Sequence, residues 1–505
     1  MKNWHLWKQR ISYGATDMAG NLIWQIVGLY LLFYYTTVLK ISPAFVGTLF
    51  LVVRIVDAFD GLFFGYLIDH THSKYGKSRP YFLWFGVPLG LLTMLLFFNP
   101  GFGGSRFFQL AWISLVYTLF SLVYSGANTP ITAILPALTS DPDERTNLAS
   151  ARMVMTNIGT AVIGAISLPM VAKLGGGNAE MGWSIWAVII GLVIMALFFL
   201  AFWNLEENDN LPAEEAAAEG TKLKGHLTVK ESLRGAAKNT PWVILSIGFI
   251  MLQTFWVVRM QTAVYYLTYV YRRTDLIGAF NGLIIMAVIG NLAVPFISKF
   301  MKHRNVMIVS LITFAIGEAI MPLGVVALFA GMIVATIAMG SAWSISFVMI
   351  ADTVEYSRTE MHIDEPGILS SVPMVGAKLG MGLGGALAGW ILSWGGFNAD
   401  LKVQGARAVT AITFSFIWLP VIIALAIVGI LHFYNLDENK VAATARDAAA
   451  KIKATDSVPT EAVKPSAPQT PVSVATDETD ATESETTGAA KTKDDDDNND
   501  LEAGE

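Results

Sequence analysis

Twelve stretches of this sequence are apolar over a length near or above the roughly 20 residues that a helix needs to cross a hydrocarbon core. They are 16–38, 45–68, 81–99, 108–136, 148–172, 183–203, 241–270, 276–298, 305–323, 326–351, 367–395 and 408–434. Inside lipid, peptide groups have no water to bond to and must be satisfied within the helix itself. The chain is 54% hydrophobic and 15% charged, where a soluble domain carries about 25% charged residues. The expected fold class is an all-α membrane protein with twelve transmembrane helices. The first apolar run is too long for a cleavable signal core and reads as the first span.

A polar segment, 204–240, separates six spans from six. It begins with Glu206 and Glu207 and later carries Lys222, Lys224, Lys230 and Arg234. Two six-span halves around a charged loop suggest a pseudo-repeat, and such proteins place a site between the halves near the midplane. The expected organisation is an N-terminal six-helix bundle at 1–203, a middle loop at 204–240, a C-terminal six-helix bundle at 241–435 and a tail at 436–505. The tail is Ala, Thr, Ser, Pro, Glu and Asp, and cannot bury enough apolar surface to order itself. It reads as a solvated acidic tail or as a regulatory, partner-binding one.

Lys and Arg in short loops set the orientation. One side carries Lys2, Lys8, Arg10, Lys74, Lys77, Arg79, Arg145, Lys299, Lys302, Arg304 and Arg358 besides the basic middle loop. The other has Lys40, Arg106, Lys173, Arg272, Arg273, Lys402 and Arg407. This bias puts both termini and the middle loop in the cytoplasm. The sequence has no cysteine, which excludes disulfides, thiolate metal sites and a thiol nucleophile.

Span 2 contains Arg54, Asp57 and Asp60. Ionisable groups at membrane depth are costly, face the bundle interior, pair with opposite charges and mark ion or substrate paths. Residues three apart share a helical face, so the three charges stand together. They are either part of such a path or a buried structural pair. Gly65 and Asp69, then Gly76, Lys77, Arg79 and Pro80, occupy the end of span 2 and the loop to span 3. Their spacing resembles the loop 2–3 signature of the major facilitator superfamily, which gates the cytoplasmic side; a plain positive-inside loop is the alternative.

Further motifs run in order along the chain. Ser12-Tyr13-Gly14 precedes Asp17 and Asn21; Asn128-Thr129-Pro130 precedes Glu144-Arg145-Thr146 and Arg152; Ala351-Asp352-Thr353-Val354-Glu355-Tyr356 precedes Lys378-Leu379-Gly380. Together these resemble the glycoside-pentoside-hexuronide:cation symporter family across all twelve spans, the tail excepted. The resemblance implies the major facilitator fold, two pseudo-symmetric six-helix bundles, and symport of a sugar with a cation. Asp57 falls on the family's first cation-site carboxylate. The second falls on Gly61, so that carboxylate is missing and Asp60 sits one residue early, turned by about 100°. A sodium cage of several oxygens is harder to build from this set, whereas a proton needs only one titratable carboxylate. The coupling ion is H+ or Na+, with the proton favoured.

The family's two sugar-binding acids fall on Asn21 and Asn128; Asp17, one turn before Asn21, restores a negative charge on the same face. Either amide is otherwise interhelical glue. Arg152 matches an arginine near the substrate, with a helix-end anchor as the alternative. Lys378 matches a lysine that serves both cation and substrate, and it and Arg54 are the cations expected to pair with the carboxylates and couple ion to sugar. Trp24 and Trp343 are plausible stacking platforms for a sugar ring. Asp352 and Glu355 are expected to brace the gate. Arg259 and Glu318 are charges inside spans 7 and 9; the first can face the cavity and the second can pair structurally.

The resulting reading is a secondary active transporter that imports a sugar or glycoside with a cation by alternating access. It would reside in the bacterial cytoplasmic (inner) membrane, with lipid around it. No nucleophile–base pair or metal cluster stands on the loops, so an enzyme is not expected. No nucleic-acid partner, metal or cofactor other than the coupling ion is expected either. The rival readings are a transporter of a non-sugar amphipathic solute on the same fold and a sugar-sensing membrane protein signalling through the tail.

Overall fold

The computed structural model describes residues 2–71, 73–139, 141–207, 237–359, 361 and 366–436. Most of the middle loop and all of the tail after residue 436 lie outside the described residues.

Among the described residues there are helices and no strands. In chain order the long helices are α1 (Lys2–Ile26), α2 (Pro43–Asp69), α3 (Arg79–Leu96), α4 (Arg106–Ala133), α5 (Pro142–Gly175) and α6 (Ala179–Asn204). The second half repeats the pattern with α7 (Thr240–Tyr265), α8 (Thr274–Ile297), α9 (His303–Ile320), α10 (Val325–Thr359), α11 (Pro366–Trp394) and α12 (Ala406–Leu431). Among the described residues, 11 helices are long and apolar enough to cross a membrane. The twelfth is α2, 27 residues long, which contains Arg54, Asp57 and Asp60. Large apolar side chains such as Leu115, Leu192, Leu292 and Ile422 stay exposed on the outside of the bundle, as a surface facing lipid requires.

Both ends of the bundle lie on one face, called here the terminal face. The start of α1 meets the start of α5 through Arg10, which donates to Glu144 at 2.8 and 2.5 Å. This guanidinium holds the Glu144 carboxyl below the usual carboxylate range. Arg304, in the first turn of α9, donates to the His432 carbonyl just beyond α12 at 3.2 Å. On the opposite face Lys40 pairs with Asp400, and Arg106 donates to the Leu39 and Lys40 carbonyls, each at 3.2 Å.

The halves meet along α2 with α11, α5 with α8, and the turn Val27–Leu31 that follows α1 with α7. Small residues permit this closeness, since helices in lipid associate by packing rather than by a hydrophobic drive. A Cβ on Gly389 of α11 would stand 2.3 Å from the Pro43 carbonyl oxygen at the start of α2. No larger residue fits there without moving a helix.

Helices α1 and α7 both leave regular α geometry toward the opposite face. Each ends in a π-helical turn, Tyr34–Val38 and Tyr266–Val270. The hydrogen bonds correspond: Leu39 N–H to Tyr34 O and Ile41 N–H to Tyr35 O in one, Tyr271 N–H to Tyr266 O and Arg273 N–H to Leu267 O in the other. Lys40 and Arg272 follow in the left-handed region, each at φ 55°, a position unusual for residues other than glycine. The shared pattern Tyr-x-Thr-x-Val-x-(Lys/Arg), at 34–40 and 266–272, marks the two halves as repeats of one design.

Candidate functional site

Near the middle of α2, Asp57 and Asp60 are 3% and 6% exposed. Arg54 donates to Asp57 Oδ2 at 2.8 Å, and its guanidinium lies 5.3 Å from the centre of the Trp24 ring. Ser121 of α4 puts its hydroxyl 2.6 and 2.5 Å from the two Asp57 oxygens. A hydroxyl has one proton, so it serves one oxygen at a time. From the other half of the molecule, Lys378 of α11 donates to the Asp57 carbonyl at 2.7 Å and to Asp60 Oδ1 at 3.0 Å. Asp60 Oδ2 is buried with no partner among the described residues. The backbone of α11 approaches because a Cβ on Gly382 would already lie 2.8 Å from the Arg54 Cβ. Two cations and two carboxylates thus form one neutral cluster that bridges the halves.

A second cluster joins α1 to α5. Arg152 lies 3.1 Å from Asp17 Oδ1, and the Thr156 hydroxyl donates to the other Asp17 oxygen. Asn21 turns its amide back on its own helix, donating to the Asp17 carbonyl at 3.0 Å. Asn128 is exposed, and its Oδ1 lies 3.8 Å from where a Cβ on Gly20 would be. The Tyr124 hydroxyl is 3.9 Å from the same point. It stands between the two clusters, near Arg54 and Asp57 of the first and Asp17 and Arg152 of the second.

Toward the opposite face the site is sealed. The hydroxyls of Thr36 and Tyr265 bond to each other across the halves, and the Phe33 ring stands edge-on to Tyr265 at 5.3 Å. Deeper in, Asn281 donates to the Tyr30 hydroxyl at 3.4 Å, and that hydroxyl donates to the Gly164 carbonyl at 3.2 Å. The space left beside Trp24, Arg54, Tyr117 and Gln261 is about 30 Å³, room for a water molecule. Toward the terminal face the site keeps exposure, with the Lys378 side chain at 35% and Arg152 at 25%.

Several expected residues stand elsewhere or are otherwise engaged. Trp24 carries the Arg54 guanidinium against its ring and is half-buried. Trp343 packs against Phe249 and Phe347, with ring centres 5.6 and 6.4 Å away, within the C-terminal half. Arg259 pairs with Glu318 in a buried contact, its guanidinium lying against the Trp256 and Phe416 rings, so it is committed to the bundle. A Cβ on Gly65 would meet nothing within 4 Å, so no close approach explains that glycine. Gly76 has φ 99°, and the loop around it is held by Glu207. The Glu207 carboxylate accepts from the backbone N–H of Lys77 and Ser78, both at 2.8 Å, and of Arg79 at 2.5 Å. Arg79 donates onward from Nε to the Phe202 carbonyl at 2.6 Å. Asp69 closes α2, and its side chain is not among those described. Asp352 contacts His303 at 2.7 Å, and Glu355 follows it on α10 toward the terminal face.

A sequence profile described as MFS/sugar transport protein matches residues 12–438. The chain belongs to this family. Its members are transporters of the major facilitator superfamily, not enzymes, and the family is the one that the ordered motifs resembled. The isoprimeverose transporter of Lactiplantibacillus pentosus is 37% identical over 449 residues, covering 86% of this chain and 90% of the relative. The inner membrane symporter YicJ of Escherichia coli (strain K12) is 27% identical, covering 82% and 88%. Among solved structures, a bacterial homologue of the human lysosomal transporter Spinster in an inward-facing, unoccupied conformation superposes with TM-score 0.62 at 14% identity, covering 88% of this chain and 98% of that one. That likeness concerns the fold alone.

Ser121, Thr156 and Glu207 were not singled out as site residues by sequence. Each acts through a neighbour more than 60 positions away in the chain, and a lone Ser or Thr in an apolar helix gives no local sign of that. The tyrosine–threonine repeat at 34–40 and 266–272 was a legible signal for the seal.

Proposed function

We propose that the protein imports a glycoside, in the class of isoprimeverose, together with a proton, by alternating access of its two halves. The terminal face is the cytoplasmic face, as the excess of Lys and Arg there supports, and the membrane is the bacterial inner membrane. Residues 1–203 and 241–435 rock against each other, with the middle loop and the acidic tail in the cytoplasm. The observation that carries this reading is Lys378, an ammonium from one half bound to Asp60 and to the Asp57 carbonyl of the other. A bond across the moving interface can couple ion binding to rocking.

In this reading Asp57 and Asp60 take the coupling ion. The ammonium already occupies oxygens that a sodium ion would need. The unpartnered Asp60 Oδ2 is a free acceptor, and one lone pair suffices for a proton. Protonation of either carboxylate weakens the hold on Lys378 or Arg54 and frees the halves to move. Asp17, Asn21, Asn128 and Arg152 meet the sugar hydroxyls, with the Asp17–Arg152 pair opening to share its donors and acceptors. Sugar and ion then raise each other's affinity by the same factor. The loop at Gly76–Arg79, the Glu207 clamp and Asp352 with Glu355 hold the cytoplasmic gate.

The test is uptake of labelled isoprimeverose into membrane vesicles, with proton and sodium gradients imposed separately. A proton gradient alone should drive accumulation, and Asp57→Asn should abolish it. Concentrative uptake retained by Asp57→Asn defeats the coupling role, and accumulation driven by sodium but not by protons defeats the choice of ion.

A further inference from the structure

The outer side of the seal carries a feature that the transport cycle above does not use. A cavity of about 1040 Å³ opens between α1, α5, α6, α7 and α8 at the opposite face. Phe33 and Thr37 beyond the end of α1, Glu180 of α6, Thr268 of the π turn after α7 and Asp275 of α8 line it. Its inner wall is the seal itself, since Phe33 both lines the cavity and packs on Tyr265. A pocket of a few hundred to a thousand Å³ is the size that holds a small ligand.

The hydroxyls of this cavity behave differently from their neighbours. Threonines in these helices return their proton to a carbonyl of their own turn: Thr36 to Leu32 at 2.9 Å, Thr262 to Val258 at 2.7 Å, Thr413 to Val409 at 2.9 Å. Thr268 does not. It sits in the π turn, its Oγ1 is buried without a partner among the described residues, and it lines the cavity. Thr37 also returns no proton to its own turn and has the Tyr269 hydroxyl as its neighbour. Buried hydroxyls are nearly always hydrogen-bonded, so an occupant with donors and acceptors is called for. Glu180 has no ion-pair partner among the described residues, and Asp275 is held by Arg273 at 2.8 Å with lone pairs to spare. Carboxylates accept from sugar hydroxyls and repel an anionic sugar. Phe33, Leu168, Pro169 and Ile277 supply apolar wall for the C–H faces of a ring.

We propose that this cavity is a reception site for neutral glycosides, holding the sugar on the outer side of the Phe33–Tyr265 seal before the halves rock. It rests on the import reading, and it adds a second sugar position with its own selectivity against acidic sugars. Initial rates of proton-driven isoprimeverose uptake into right-side-out vesicles test it, over a range of external concentrations. The variants are Thr268→Val, Glu180→Gln, the two combined, and Thr268→Ser. The double variant should raise KM three- to tenfold with Vmax within twofold. Thr268→Ser should stay near the parent protein. Counterflow started from the cytoplasmic side should keep its affinity for sugar. Glu180→Lys should narrow the preference for isoprimeverose over a glucuronide competitor.

An unchanged KM in the double variant overturns the reception site, and so does a parallel loss of KM and Vmax that Thr268→Ser shares. A cavity holding only water or lipid would give the first of these results. If the parent protein accumulates no sugar under any gradient, the import reading itself falls and the reception site with it. An unchanged KM in a protein that does transport removes the reception site alone.

Discussion

Under the proposed coupling, Ser121 governs how the Asp57 carboxylate meets its ion. Its proton can go to either oxygen of the ionised carboxylate, so Ser121→Ala removes a donor that favours the ionised form. The two candidate ions then respond with opposite sign. With proton coupling, the variant should reach half-maximal uptake at a pH about one unit higher, since a hydrogen bond to a charged group is worth about 1.5 kcal/mol and one pH unit is about 1.4 kcal/mol. With sodium coupling, the variant loses an oxygen near the ion and should need more sodium. A pH and sodium titration of uptake separates the two. The same residue shows what a chain read by itself conceals. Arg54 and Asp57 lie one helical turn apart and their pairing was visible from spacing, and Lys378 came from the ordered motifs. Ser121 lies 64 positions from Asp57, and only the crossing of α2 with α4 brings them together.

Helices carry a second buried charge pair whose role is confined to one bundle. Arg259 of α7 and Glu318 of α9 are 4% and 0% exposed in their side chains. Removing one partner strands the other charge, which costs about 3–5 kcal/mol, whereas replacing both by apolar residues is often neutral or better. Arg259→Met should therefore lower the thermal midpoint of the purified protein sharply, and Arg259→Met with Glu318→Leu should recover most of it. A double variant as unstable as the single one would mean that the pair does more than neutralise itself. At this scale the sequence spoke clearly about number and length, because apolar run length is what a bilayer selects. It was silent on the π turns, whose hydrogen-bond shift leaves no trace in hydrophobic patterning, and on Glu207, which a composition shift had placed in the middle loop.

In the whole molecule, alternating access as proposed requires α5 and α8 to part toward the opposite face. Ala165 and Gly282 offer a way to prevent it. A Cβ on Gly282 would lie 3.6 Å from the Ala165 Cβ, with no other group of the described residues within 4 Å. That separation lies within the range of disulfides, about 3.5–4.5 Å. The sequence has no cysteine, so Ala165→Cys with Gly282→Cys introduces the only two thiols. Oxidation should reduce uptake to background and a reductant should restore it. Full uptake in the oxidised, cross-linked protein would show that this contact persists through the cycle. The two-bundle plan was legible because charge punctuates the chain between spans 6 and 7. Which faces of the bundles touch was not, since that is set by where glycines such as Gly389 let backbones meet.

The wide turns at 34–38 and 266–270 carry a further consequence. Such a turn holds one residue more than an α turn, so each stretch is in effect an insertion preserved in both halves. Exchanging one side chain there alters a contact. Losing a single residue would restore ordinary winding, and the widened bonds from Leu39 N–H to Tyr34 O or from Tyr271 N–H to Tyr266 O would go with it. The lock between the halves therefore depends on counting as well as on chemistry, and shortening either stretch by one should be far more harmful than any conservative exchange within it.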